Sequence, residues 1–343
     1  MGGVQHERRA LNLALAALLA AGGWAGHSPV HGAPSPTRWV LVYTGGPNRP
    51  AYTVDDLLHL TAVVDTAGHP VGPLCDGVIF TEFKAVSGRY YMPWPNKQES
   101  QGADWTAYID SLAAPRGALT RLDSAAALTG TKVTFVVMVP YPDTSQHAFL
   151  YEDKEYDFHD AAARVEAEKA YLQQIAARVR ALSLPHLVFH GFYWLNEGVK
   201  PGDSSVVSQV TAAAHTMNLH FLWIPSYRAA GATEWRAFGF DEAWYQPNYF
   251  FHPDVPLARF DSAMTTARGA GMGMELEFDR RLFSDSLFKD RLGAYLAAFE
   301  RAPDLRNHSI AIYEGAGALI QLSRATDAVH RALYERLVKV LRP

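Results

Sequence analysis

Eight short, almost continuously apolar runs, each separated from the next by a longer stretch of helical spacing, constrain this chain more than any other feature. The runs are WVLVY (39–43), GVIFTEF (77–83), KVTFVVMVP (132–140), LVFHGFYWL (187–195), LHFLWIP (219–225), EAWYQPNY (242–249), MGMELEF (272–278) and SIAIYE (309–314). A strand with no polar face is buried on both sides, and crossover helices are what cover a parallel sheet. Segments 53–64, 161–182, 204–217, 256–270, 288–302 and 325–341 have the helical pattern, as do 105–112 running on toward LDSAAAL and a short EWRAF at 234–238. Eight such units over roughly 300 residues predict an α/β chain folded as a single (β/α)8 TIM barrel, here spanning 38–343.

An open doubly wound sheet is the main competitor. Its first turn normally carries a Gly-rich phosphate loop, and YTGGPNRP after the first run has neither that pattern nor a P-loop. No period of 20–50 residues repeats, which argues against a solenoid or propeller. The longest irregular stretches, 84–104 and 141–160, both follow strand ends, where barrel enzymes carry substrate-binding loops.

With 343 residues, 48% hydrophobic and 19% charged, the chain has ample material for one core. A net charge of −4 gives no electrostatic footprint for nucleic acid or an anionic membrane. At the N-terminus Arg8 and Arg9 precede an apolar run from Ala10 to Ala21 and then small residues, the layout of a signal peptide, with the leader and its lead-in expected over 1–33. Cleavage between about 26 and 33 would release a secreted or periplasmic protein with no membrane attachment. Cys75 is the sole cysteine, so export brings no intramolecular disulfide. The His residues show neither H-x-H nor H-E-x-x-H spacing and no Ser sits in a G-x-S-x-G elbow, so neither a metal, a cofactor nor a serine nucleophile is expected.

In a barrel, chemistry belongs to the C-terminal strand ends, which share one mouth. The ends here supply Glu82, Asn196 with Glu197, Tyr227, Gln246 with Asn248 and Tyr249, Glu275 with Glu277 and Asp279, and Glu314. In GMGMELEFD, alternation puts Gly273, Glu275 and Glu277 on one face and Met274, Leu276 and Phe278 on the other, so two carboxylates point into the barrel. Charges there are costly unless paired, solvated or used. Cleaving a glycosidic bond takes one carboxyl to protonate the leaving oxygen and a second to attack or to activate water. Glu197 is the expected acid/base, and Glu277, nearer the strand end, the expected nucleophile, with Glu275 its neighbour or substitute. Asn196 is expected to bond a sugar hydroxyl, and Tyr193, Trp194, Trp223, Tyr227, Tyr245 and Tyr249 offer flat faces to a carbohydrate. Tyr90, Tyr91, Trp94 and Trp105 in the first long loop are candidates for distal subsites. A carbohydrate-binding protein without catalysis is the alternative.

Asn-Glu closing the fourth strand with a Glu on the seventh resembles the clan of retaining barrel glycosidases, in which the fourth-strand Glu is the acid/base and the seventh-strand Glu the nucleophile. More closely, FYWLNE, WIPSY, GFDEAWYQPNYFF and GMGMELEFD across residues 39–320 resemble the bacterial family known as domain of unknown function 4855. That resemblance implies a glycosidase-like barrel. By position Glu197 matches the acid/base, and the doubled acids on the seventh strand leave two matches for the nucleophile.

Overall fold

The computed structural model describes residues 37–49 and 51–342; the leader expected over 1–33 lies outside the described residues. All eight expected runs form strands: β1 Arg38–Tyr43, β2 Gly77–Thr81, β3 Val133–Val139, β4 Leu187–Trp194, β5 His220–Trp223, β6 Glu242–Tyr245, β7 Gly273–Asp279 and β8 Ile310–Gly315. Each pairs in parallel with the next, and β8 pairs with β1 to close the barrel. The expected (β/α)8 barrel is therefore the fold.

The helices fill the crossovers: α1 Val54–Thr61, α2 Gly102–Ala113, α3 Ala118–Thr129, α4 Ala161–Arg180, α5 Ser204–Thr216, α6 Ala258–Ala270, α7 Ser286–Arg301, a short α8 Pro303–Asn307, then α9 Ala318–Ser323 and α10 Ala328–Leu341. Their starts are locally encoded. Thr53 closes a capping box with Asp56 at the head of α1, and Asp160 and Asp285 accept from the first-turn N–H groups of α4 and α7. The helix expected from 105 onward is two, α2 and α3, because Pro115 and Gly117 interrupt it. EWRAF does not form the α-helix expected between β5 and β6; a 3-10 turn at Ala232–Glu234 stands there. Among the described residues no helix is long and apolar enough to cross a membrane.

The floor of the barrel fixes which side chains point inward. Trp39 of β1 packs on Trp244 of β6 and on His190 of β4, each with ring centroids 5.8 Å apart. These strands are not neighbours, so the rings meet inside. A Cβ on Gly77 would come within 2.4 Å of the Trp39 ring, and one on Gly273 within 2.5 Å of Trp244, so both indoles need glycine beside them. Pairing registers carry the inward phase upward: Trp39, Leu41 and Tyr43 on β1, Gly77, Ile79 and Thr81 on β2, Gly273, Glu275 and Glu277 on β7, Ala311 and Tyr313 on β8.

Strand β4 is the exception to a simple count. Thr134 pairs with Val188 but Val136 pairs with Gly191, so the strand carries a bulge with one residue too many. Gly191 takes φ +150°, and a Cβ there would lie 1.9 Å from the carbonyl oxygen of His220. The bulge turns Tyr193 inward and Trp194 outward, and sets the phase of the chain that reaches Glu197.

Candidate active site

Glu197 follows β4 in a loop held from both sides. Its carbonyl accepts from the Ser226 N–H at 3.2 Å, and Trp223 Nε1 donates to the Asn196 carbonyl at 2.8 Å. Asn196 Nδ2 donates to the Gly198 carbonyl at 2.8 Å, so that amide nitrogen tightens its own turn. The Glu197 carboxyl is hydrogen-bonded by Gln246 and Ser226; burial nonetheless raises it above the usual carboxylate range.

Glu275 is 1% exposed on the inward face of β7. Burial pushes its carboxyl well up, the charges of Glu277 and Glu197 add to this, and a hydrogen bond from Gln246 opposes it. Among the described residues it has no cationic partner, and its Oε2 is buried without a hydrogen bond. Tyr43, Tyr193 and Tyr313 all feel its charge, and Tyr43 and Tyr193 that of Glu197 as well. Two carboxyls from strands well apart on the barrel thus lie within electrostatic reach of each other, of Gln246 and of Tyr43 and Tyr193.

Glu277 is differently placed. It is 0% exposed, accepts from the backbone N–H of Asn248 at 3.2 Å and of Tyr249 at 3.1 Å, and receives the Tyr295 hydroxyl from α7. β6 ends at Tyr245, because Pro247 cannot continue a ladder and Asn248 takes φ +50°, which lets the following backbone amides turn onto Glu277. Burial lifts this carboxyl to about 7 against those donors. Both of its oxygens are engaged by protein, and the loop 248–250 is anchored on them.

Most of the expected carbohydrate-facing groups are committed elsewhere. Glu82 pairs with Arg49, Nε to Oε2 at 2.7 Å, and Gly46 packs so close that a Cβ would sit 2.4 Å from that oxygen. Glu314 accepts from the Leu319 N–H at 3.1 Å at the head of α9 and is pushed by burial to about 8. Asp279 is bound by Arg281 at 2.9 Å. Trp194, Trp223 and Tyr245 lie in the outward phase: Trp194 packs on Tyr141 and Phe221, Trp223 stacks on Phe240 at 4.9 Å, and the Tyr245 hydroxyl accepts from the Arg228 N–H at 2.7 Å. Tyr249 is covered by Arg291, 3.7 Å from its ring centroid, and Tyr227 is flanked by Arg228 and Arg259 at 5.2 and 4.9 Å. These five aromatic side chains belong to the helix layer or its loops. Of the distal candidates, Tyr91 and Trp105 are buried, while Trp94 is exposed.

A profile of the family described as "Domain of unknown function (DUF4855)" matches residues 38–339. The chain belongs to this family. No curated protein matches this DUF4855 chain. Similar solved structures include a group IV chitinase of Ostrinia furnacalis in complex with allosamidin, 12% identical with a TM-score of 0.39, over 70% of this chain and 65% of that one, less than two thirds of the chitinase chain. An alpha-amylase of Malbranchea cinnamomea is 10% identical over 89% of this chain and 76% of its own, TM-score 0.44. A xylanase-alpha-amylase inhibitor protein in complex with trehalose is 10% identical over 88% and 97%, TM-score 0.42. At such identities the likeness is one of barrel architecture, and it carries no argument about chemistry.

Within the DUF4855 barrel, three side chains around the carboxyl pair had not been singled out as site residues from the sequence. Tyr43 and Tyr313 are the uppermost inward side chains of β1 and β8, with only Gly315 following Tyr313 in the same phase. Ser226, beside Tyr227, bonds the Glu197 carboxyl. The signal for the two tyrosines is the period-2 phase carried up the strand; for Ser226 it is the place at the C-terminal end of the fifth strand, beside Tyr227. Among the described residues no group of three His, Cys, Asp or Glu side chains could hold a metal ion.

Proposed function

We propose that this DUF4855 chain is a glycoside hydrolase in which Glu197 is the acid/base and Glu275 the nucleophile. The observation that carries this reading is the pair itself: a half-buried Glu197 and an enclosed Glu275 without a cation, both beside Gln246 and both acting electrically on Tyr43 and Tyr193. Burial favours the neutral form of both carboxyls, and the charge of Glu197 raises Glu275 further, so the site resists carrying both charges until a substrate takes up a proton from Glu197. Glu197 donates its proton to the leaving glycosidic oxygen, and Glu275 attacks the anomeric carbon with its unpartnered Oε2. Water, deprotonated by Glu197, then releases the sugar from Glu275.

The proposed course is a retaining one, with Glu197 just after β4 and Glu275 on β7. Gln246 lies beside both carboxyls and opposes the rise that burial gives each of them. Glu277 is proposed as a positioning residue that fixes the loop beside Gln246. The substrate is a carbohydrate, and the Arg8–Ala21 pattern supports export to the periplasm or medium.

The test is reducing-end release from a panel of bacterial, fungal and plant polysaccharides by the mature protein and its Glu197→Gln variant. Cleavage that the variant loses by about a hundredfold supports the reading. A glycan bound but never cut would replace it with the carbohydrate-binding alternative.

A further inference from the structure

Of the large hydrophobic side chains left exposed among the described residues, Trp94 is the one aromatic, at 47% exposure. It lies between β2 and α2, on the C-terminal side of the barrel where the carboxyl pair opens. The loop that carries it is firmly tied. Ala85 N–H donates to Arg89 O at 2.7 Å, Tyr90 N–H to Gln98 O at 2.8 Å, Ser100 N–H to Tyr90 O at 2.8 Å, and Tyr91 N–H to Phe83 O at 2.9 Å. The Tyr141 N–H, after β3, donates to Tyr91 O at 2.7 Å and fastens the loop to the next strand. An indole left half in water on so fixed a base is not a fraying loop tip.

Trp94 stacks on Tyr90, centroids 5.6 Å apart and planes 24° from parallel, so one aromatic ring backs the other. It also tilts against Phe83 at 6.5 Å. Phe83 meets Tyr43 at 5.1 Å, and Tyr43 meets Tyr313 at 5.5 Å. Tyr43 and Tyr313 share the inward phase of Glu275 on β1 and β8, and its charge acts on both. An unbroken line of aromatic contacts thus runs from an open indole face to the proposed reacting centre. Flat apolar rings with wet edges are the surfaces on which the C–H faces of sugar rings lie while their hydroxyls stay hydrated.

Resting on the glycosidase reading, we propose that Trp94, backed by Tyr90, is an outlying subsite that holds a sugar of the same glycan chain beyond the residues flanking the bond cut at Glu197 and Glu275. The substrate is accordingly a polymer that extends past the mouth, and Trp94 contributes binding without touching the reacting atoms. Contacts of that kind act on ground state and transition state alike, so they appear in KM.

The experiment compares wild type, Trp94→Ala and Trp94→Phe on the polysaccharide that the wild type cuts in the panel and on the shortest oligosaccharide of it that is still cut. The expected result is a fall of about tenfold in kcat/KM on the polymer for Trp94→Ala, carried by KM. The rate on the short oligosaccharide and the Tm stay unchanged, and Trp94→Phe recovers most of the loss. Equal rates for Trp94→Ala and wild type on the polymer, or equal losses on both substrates, would overturn the subsite while leaving the hydrolase standing. No cleavage of any glycan by the wild type would bring down both.

Discussion

Replacing Glu277 by Gln isolates the energetic cost of one buried carboxyl. In the folded chain Glu277 is wholly enclosed and burial raises its pKa from 4.5 to about 7. A carboxyl with a raised folded pKa gives its full stability below the unfolded value, and that stability is lost as pH rises through the folded value. A rise of this size corresponds to about 3 kcal/mol lost between pH 4.5 and 8. Gln cannot ionise, but its NH2 end cannot accept from both the Asn248 and Tyr249 N–H groups, which costs about 1–3 kcal/mol at every pH. The variant should therefore be less stable than wild type at pH 5 and match or exceed it at pH 8. Glu314, at about 8, and Glu242, at about 7, titrate in both proteins, while Glu275, which the Glu277 charge raises, is held less high in the variant and adds to its gain at pH 8. Urea unfolding at pH 5, 6, 7 and 8 measures the gap. A gap that stays constant across this range would refute the idea that Glu277 is buried at the expense of its charge.

Two further outcomes follow from the same geometry. Hydrogen bonds from Gln246 hold the pKa values of Glu197 and Glu275 down, so Gln246→Ala should move the limb of the kcat/KM profile set by the pair to higher pH; an unmoved profile would mean that Gln246 does not serve the pair. Trp223 is 0% exposed in the helix layer, so Trp223→Ala should cost about 3–5 kcal/mol of stability with KM unchanged in the folded enzyme, and a selective rise in KM would return it to the sugar site.

The barrel was legible because its strands are fully buried runs at regular spacing, a pattern that survives errors of a residue or two at either end. The inward phase of Glu275 and Glu277 was equally legible, since nothing interrupts the alternation of β7. The phase of β4 was not: counting upward from Val188 sends Trp194 inward, and only the extra residue at His190–Gly191 reverses it. A glycine within a strand is the sole trace that such a bulge leaves in sequence. Tyr193 and Trp194 are adjacent, and alternation alone forbids both from facing the same cleft. The enclosure of Glu277 was out of reach, because its donors are the backbone N–H groups of 248 and 249 and a Tyr295 hydroxyl from a later helix. Backbone donors carry no side-chain signature. Glu82 and Glu314 sit where site acids belong, and what commits them elsewhere is long-range for the first, Arg49, and a helix start for the second.

The division of labour between the two acids of β7 is the most exposed part of the account. Steady-state turnover of Glu275→Gln and Glu277→Gln, measured side by side on the glycan that wild type cuts, tests it most directly. A loss of about a hundredfold or more in kcat for Glu275→Gln, with Glu277→Gln within about tenfold of wild type, is the predicted result. Abolished turnover in Glu277→Gln beside an active Glu275→Gln would contradict it and make Glu277 the nucleophile.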